Sequence, residues 1–197
     1  EDHRRQRRVN NSDVADSYEH LITLKPELLK TPRVVITQTI APATAKRAAA
    51  NLQHLLDLGF WRFNFLPGYY ISWREHQIAA LQESFKEMAS IITHRWGGME
   101  RTYVRNLFTY APTAFFNTGL VVDSDRTIHP SNIGLSGALD ELRAQTTVGT
   151  LDEPPTPAML QDASKRVNSL LHDTLPERAW TSTQAVDAEL SAFCQQL

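Results

Sequence analysis

Gly59-Phe60-Trp61-Arg62-Phe63-Asn64-Phe65-Leu66-Pro67-Gly68-Tyr69-Tyr70 is the stretch on which the reading of the fold turns. From Phe60 to Leu66, Trp61, Phe63 and Phe65 alternate with Arg62, Asn64 and Leu66. That two-residue period is a strand whose faces meet different surroundings. In an α/β chain, polar groups at the carboxyl end of a buried strand are where ligands are held, so Asn64 to Tyr70 mark the place to look.

On the amino-terminal side, Val34-Val35-Ile36-Thr37-Gln38-Thr39-Ile40 is β-branched and nearly uncharged, which suits a strand of a parallel sheet covered on both faces. Between the two strands a helix is predicted from about Thr44, with Leu52, Leu55 and Leu56 on one stripe and Gly59 as its carboxyl-terminal cap. On the other side, Ser72-Trp73-Arg74-Glu75 has the spacing of a capping box. The helix it opens carries Ile78, Leu81, Phe85, Met88, Ile91 and Ile92 on one face and stops at Gly97-Gly98. Strand, helix, strand, helix with short connections reads as βαβα with right-handed crossovers.

Farther out, Tyr18, Leu21, Ile22 and Leu24 recur at helical spacing before Pro26. Arg101 to Tyr110 reads as a strand, and Leu120-Val121-Val122 and Thr127-Ile128-His129 flank a hairpin turn, Asp123-Ser124-Asp125-Arg126. A short helix is predicted over Gly134 to Arg143, and Thr146 to Pro157, with Gly149 and Pro154-Pro155, reads as a linker. Met159, Leu160, Ala163, Val167, Leu170 and Leu171 keep helical spacing, and a last helix starting near Thr181 or Ser182 carries Val186, Leu190 and Phe193.

Composition bounds the chemistry. A chain of 197 residues, 42% hydrophobic and 21% charged, can bury a sizeable core without metal or disulfide staples. Its formal net charge of -2 gives no global attraction to nucleic acid or to an anionic membrane. Cys194, the one cysteine, excludes an internal disulfide framework and any site built on several thiolates from this chain alone. No apolar run approaches the roughly 20 residues of a membrane-spanning helix, and no signal peptide is recognisable, so a cytoplasmic protein without nucleic-acid or membrane partners is expected. The charge-dense start from Glu1 to Arg8 is what an excised segment of a longer protein would show, and a processed chain would look the same.

The seven histidines show no H-x-x-x-H or H-E-x-x-H spacing, so no metal site is expected from them. Asp123 and Asp125 lie in a loop without the glycine and terminal glutamate of an EF-hand. No G-x-S-x-G signature is present.

Together the segments resemble the second half of a radical S-adenosylmethionine enzyme, whose partial (β/α) barrel is followed by a SPASM-like extension. His3 with Arg4 to Arg8 and Ser17-Tyr18-Glu19 resemble the loop and helix after the family's middle strand. Arg33 to Pro42 and Gly59 to Tyr70 resemble the next two barrel strands, and Val121 to Pro130 the hairpin of the extension. The resemblance implies three segments: a partial barrel over 1–98, a hairpin-containing extension over 99–150, and carboxyl-terminal helices over 151–197. The implied fold class is α/β, with a partial barrel-like parallel sheet.

The resemblance also implies S-adenosylmethionine as cofactor, contacted by Arg7 or Arg8, Gln38, Thr39, Asn64, Leu66 and Pro67, and a peptide substrate. A guanidinium holds a carboxylate through two parallel hydrogen bonds, and the amides of Gln38 and Asn64 donate or accept to hydroxyls or to a substrate amide. Tyr69 and Tyr70 add flat surfaces for substrate. The family's C-x-x-x-C-x-x-C loop is missing, and Pro130-Ser131-Asn132 stands where SPASM relatives carry a cysteine. A four-iron four-sulfur cluster would therefore have to come from a missing amino-terminal barrel half or a partner subunit. Alone, the chain is expected to be inactive in radical chemistry. Two other readings stand beside this one: a non-catalytic peptide- or protein-binding module derived from such a barrel, and an unrelated α/β enzyme using carboxylates such as Asp123 or Glu75. Glu75 is also the expected capping partner of Ser72.

Overall fold

The computed structural model describes residues 23, 26–108, 120–131 and 142–197. The chain is mixed α/β and divides into two compact units, Glu1–Phe108 with Thr181–Leu197, and Thr109–Trp180. Apart from Thr23, the helical pattern from Ser17 to Leu24 lies outside the described residues.

The first unit is built on a three-stranded parallel sheet in which Ile36–Ile40 (β1), Arg62–Pro67 (β2) and Tyr103–Val104 (β3) lie side by side in that order. Strand β1 covers Ile36–Ile40, two residues shorter at its start than the β-branched run. Thr44 then closes a turn: its hydroxyl accepts from the Ala41 amide at 3.1 Å, and a short 3-10 turn, Ala45–Arg47, leads into α1, Ala48–Asp57. Small residues at this entry, Ala45, Ala48 and Ala49, are fully covered, which lets the helix start close against the sheet.

Gly59 ends α1 as its sequence position implies. At φ 93° it occupies the left-handed region, the Gly59 amide donates to the Leu56 carbonyl at 2.9 Å, and the Phe60 amide donates to the Leu55 carbonyl at 3.1 Å. These paired bonds satisfy carbonyls that the helix end would otherwise leave open.

Strand β2, Arg62–Pro67, lies parallel to β1, with Thr37 opposite Asn64 and Thr39 opposite Leu66. The Gly68 amide extends the ladder past Pro67 by donating to the Ile40 carbonyl at 2.8 Å. Phe63 and Phe65 are fully buried, Phe65 edge-on against Phe193, and Phe193 in turn stacks on Phe85 of α2, Glu75–Gly97, whose Leu81, Phe85, Met88 and Ile92 are also buried. The Ser84 hydroxyl in α2 donates to the Ala45 carbonyl at 2.7 Å.

Two expectations are corrected in this unit. Ser72 does not cap α2: Arg74 is the first capping residue, its amide donating to Gln77 Oε1 at 2.9 Å. The cause is Trp73, which is buried with its indole N–H donating to the Gly68 carbonyl at 2.8 Å and its amide donating to Ser182 Oγ at 2.9 Å. Trp73 thus belongs to the strand end, and the helix begins only beyond it. The second correction concerns Arg101 to Tyr110, where only β3, Tyr103–Val104, is strand, followed by a 3-10 turn over Arg105–Phe108. Asn106 takes over the pairing: its Oδ1 accepts from the Phe65 amide at 2.8 Å and its Nδ2 donates to the Phe65 carbonyl at 2.9 Å. A side-chain amide here does the work of a third strand residue. Residues 109–110 of that run lie outside the described residues.

The second unit holds a small antiparallel sheet, β4 Val121–Val122, β5 Thr127–His129 and β6 Gly149–Thr150. The hairpin forms where expected. Arg126 closes it at φ 73°, its amide donating to the Asp123 carbonyl at 3.0 Å. The predicted linker from Thr146 is not one, because β6 pairs with β5 and Thr146 and Val148 are buried. Ile128, Val148 and Ala163 form its small core, with Leu160 against it. Of the helix predicted over Gly134 to Arg143, residues 134–141 lie outside the described residues, and α3, Arg143–Thr146, is a single turn.

Helix α4, Pro157–Thr174, is capped by Thr156, whose hydroxyl accepts from the Met159 amide at 3.3 Å. Helix α5, Glu177–Gln196, starts four residues earlier than Thr181, since Pro176 supplies a pre-set φ and its carbonyl accepts from the Ala179 amide at 2.8 Å. Val186, Leu190 and Phe193 are buried as their spacing implies.

Gly149 is tightly packed in the second unit: an added Cβ would stand 2.7 Å from the Glu153 carbonyl oxygen and 3.0 Å from Pro155. Because the obstacle is backbone, Gly149→Ala is expected to destabilise the protein by about 1–3 kcal/mol in urea unfolding. An unchanged unfolding midpoint would contradict this packing.

Candidate functional site

Parallel register and alternation sort the sequence-derived site residues by face. Partners in register share a face, so Gln38 goes with Phe65 and Ile40 with Pro67, on the helix-covered side; Thr37 goes with Asn64 and Thr39 with Leu66, on the other. Burial follows the same division. Gln38 and Pro67 are buried, Thr37 and Thr39 are exposed, and Arg62, Asn64 and Leu66 are half-buried.

Gln38 is occupied structurally on one side only. Its Nε2 donates to the Ala48 carbonyl at 2.9 Å, tying β1 to the start of α1, while its Oε1 is buried with no hydrogen bond among the described residues. Asn64 is half-buried on the second face and makes no side-chain hydrogen bond among the described residues. Arg7 and Arg8 lie outside the described residues. The structure therefore brings Thr39, Asn64 and Leu66 onto one surface and places Gln38 and Pro67 on the opposite one.

The loop after β2 is held by α5. The Tyr69 hydroxyl donates to Asp187 Oδ1 at 2.9 Å, and the Tyr70 amide donates to Thr183 Oγ1 at 2.8 Å. Tyr70 sits at φ 62°, a conformation rare for an aromatic residue, and the bond to Thr183 helps to fix it. Both tyrosines have their phenols pushed well above the ordinary range, first by burial and then by the Asp187 charge. The two rings, expected to offer flat surfaces to a substrate, are packed: Tyr69 is buried and Tyr70 half-buried, with centroids 6.2 Å apart at 46°.

Ser182, Thr183 and Asp187 are the residues that sequence reasoning missed. One signal was present. Ser182 stands on the helical stripe that also carries Ala179, Val186, Leu190 and Phe193, so a polar side chain at a core position demanded a buried partner. The Trp73 amide is that partner.

The two carboxylates proposed for an unrelated enzyme differ: Asp123 is paired with Arg143, and Glu75 is exposed. Arg143 bridges Asp123 and, at 2.6 Å, Asp125. Hydrogen bonds from Thr127 hold the Asp125 carboxyl below its ordinary range, with Arg143 adding to the effect. Glu75 is exposed in the first turn of α2, and Gln77 rather than Glu75 serves the cap. His129 is fully buried between the Thr127 and Thr146 hydroxyls, at 3.0 and 3.3 Å, and desolvation pushes its pKa down. Among the described residues no group of three or more His, Cys, Asp or Glu is arranged to hold a metal ion. Burial pushes the Cys194 thiol up to about 11, away from the thiolate a metal ligand requires. No described helix is long and apolar enough to cross a membrane.

Asp187 generates a pH dependence. Burial raises its carboxyl above the ordinary value, and the hydrogen bond from Tyr69 offsets part of the rise. A raised folded-state pKa makes a contribution that is full below about pH 3.8 and is lost as pH rises through the folded value. Asp187→Asn keeps an acceptor for Tyr69 and removes the ionisation. Its stability relative to wild type is therefore expected to increase as pH is raised from about 4 to about 7, measured by urea unfolding at each pH. A difference that stays constant, or that runs the other way, would contradict the burial of this carboxylate.

Compared with known proteins, the chain matches no protein-family model and no curated protein.

Proposed function

We propose that this chain is the carboxyl-terminal portion of an enzyme of the radical S-adenosylmethionine type, lending one wall of a cofactor and substrate pocket. The observation that carries the reading is the one-sidedness of the parallel sheet among the described residues. Phe63 and Phe65 are fully buried, Phe65 against Phe193 of α5, while the reverse face presents Thr37, Thr39, Arg62, Asn64 and Leu66. Purely parallel sheets are normally covered on both sides, and in (β/α) barrels ligands sit at the carboxyl ends of the strands, near which Thr39 and Leu66 lie. The substrate class is peptide, by resemblance, and the missing amino-terminal barrel half or a partner subunit is the implied companion.

The donor set fits part of the cofactor. Thr39, Asn64 and Leu66 are the residues that would contact S-adenosylmethionine, and Asn64 has an amide free to hold a hydroxyl or carbonyl. Gln38 and Pro67 face the helices and are not assigned to it. The iron-sulfur cluster does not fit this chain, whose single thiol lies in α5 and is held protonated by burial. No step through a cluster is assigned to these residues.

One observation favours the alternative, a non-catalytic peptide- or protein-binding module derived from such a barrel. Ser182, Thr183 and Asp187 take up the donors of the loop after β2, so the chain's own last helix occupies that end of the strand. Isothermal titration with S-adenosylmethionine separates the two. A saturable heat that weakens about fivefold to tenfold in Asn64→Ala, the loss of one hydrogen bond, is expected. Absence of heat at millimolar ligand, or equal binding by Asn64→Ala, would contradict the cofactor role and leave the module.

A further inference from the structure

A cleft at the opposite end of β2 is independent of that reading. Its volume is about 680 Å³, within the range of small-molecule sites, and its apolar wall comes from Pro26, Leu29, Leu56, Phe60 and Trp61. The helix end at Gly59 opens this space: φ 93° turns the chain sharply from α1 into β2, and an added Cβ would lie 3.6 Å from Leu29. Trp61 is fixed at the wall by its indole N–H, which donates to the Leu29 carbonyl.

The charged residues of the cleft are unequal. Arg95 is spoken for, with Nη1 at 2.7 Å from Glu100 and Nε at 3.1 Å from Thr102 Oγ1. Arg101 also lines the cleft, and its guanidinium lies 4.1 Å over the Trp61 ring, with no carboxylate in salt-bridge reach among the described residues. Stacking uses the face of the guanidinium and leaves its in-plane N–H donors for a ligand. Arg62 adds a second cation next to the same indole, 5.2 Å from the Trp61 ring and 4.0 Å from the Tyr103 ring.

We infer that this cleft binds an organic monocarboxylate with an apolar body, the carboxylate on Arg101 and the body on Leu29, Leu56, Phe60 and Trp61. Two features select a single negative charge over a phosphate dianion. Glu100 lines the same cleft, and the carboxyl-terminal turn of α2, which carries Arg95, brings the negative end of the helix dipole there. Of the residues that line the cleft, Arg101 is the one guanidinium beyond the Arg95–Glu100 pair, while Arg62 lies outside the lining with its guanidinium over the Tyr103 ring. The site stands apart from Asn64 and Thr39, at the amino-terminal rather than the carboxyl-terminal end of the strand, so its test does not depend on S-adenosylmethionine binding.

Titration of the full chain with 3-phenylpropanoate, followed by the indole N–H signal of Trp61 in nitrogen-15 NMR, tests the assignment. A saturating shift is expected, with the neutral 3-phenylpropanamide and phenyl phosphate each binding at least about tenfold more weakly. Arg101→Ala, at an exposed position, is expected to abolish the preference for acid over amide, and Arg178→Ala in the other unit to leave it intact. No shift of the Trp61 signal up to about 10 mM acid, equal binding of acid and amide, tighter binding of phenyl phosphate, or an unchanged Arg101→Ala would each overturn the inference.

Discussion

Burial of Phe63 and Phe65 on one side of a parallel strand pair is the constraint from which the first unit follows. Both rings are fully covered, and Phe65 is locked by Phe193 of α5, edge-on at 5.5 Å, which itself stacks on Phe85 of α2 at 4.9 Å. Each buried aromatic contributes on the order of 1.5–3 kcal/mol from desolvation, with a further increment for ring geometry. A slip of one residue in β2 would drive Arg62 and Asn64 under the helices and expose both phenylalanines, so the register has little freedom. The same constraint decides which polar residues are left on the second face.

Once that face is fixed, the two ends of β2 acquire different characters. At its carboxyl end, Pro67 and Gly68 release the chain into a loop whose amides and phenol are bound by Thr183, Ser182 and Asp187. At its amino end, the turn at Gly59 leaves an apolar cleft with a stacked arginine. The second face and the amino end are therefore distinct surfaces of a single strand, one polar and one an apolar cleft.

Much of this was legible in the sequence because local pattern and tertiary burial agree. The alternation from Trp61 to Leu66, the glycine after α1 and the apolar stripe of α2 each point to the structure adopted. The misreadings share another cause, long-range hydrogen bonding. Ser72 lost its capping role because Trp73 is bound to Gly68 and to Ser182, more than a hundred positions away. The stretch from Thr146, rich in glycine and proline, looked like a linker because nothing local shows that β5 accepts it as a third strand. Separation of Gln38 from Thr39, and of Leu66 from Pro67, follows from alternation alone once register is known. Asn106 pairing with β2 from outside the strand has no sequence signature.

The most direct test is the pairing of β1 with β2 in solution, read from backbone nuclear Overhauser contacts and amide exchange. Contacts of parallel type linking Thr37 with Asn64 and Thr39 with Leu66, together with a slowly exchanging Gly68 amide, are the expected result. Antiparallel contacts that bring Ile36 beside Pro67, or no contacts between the two strands, would contradict the account.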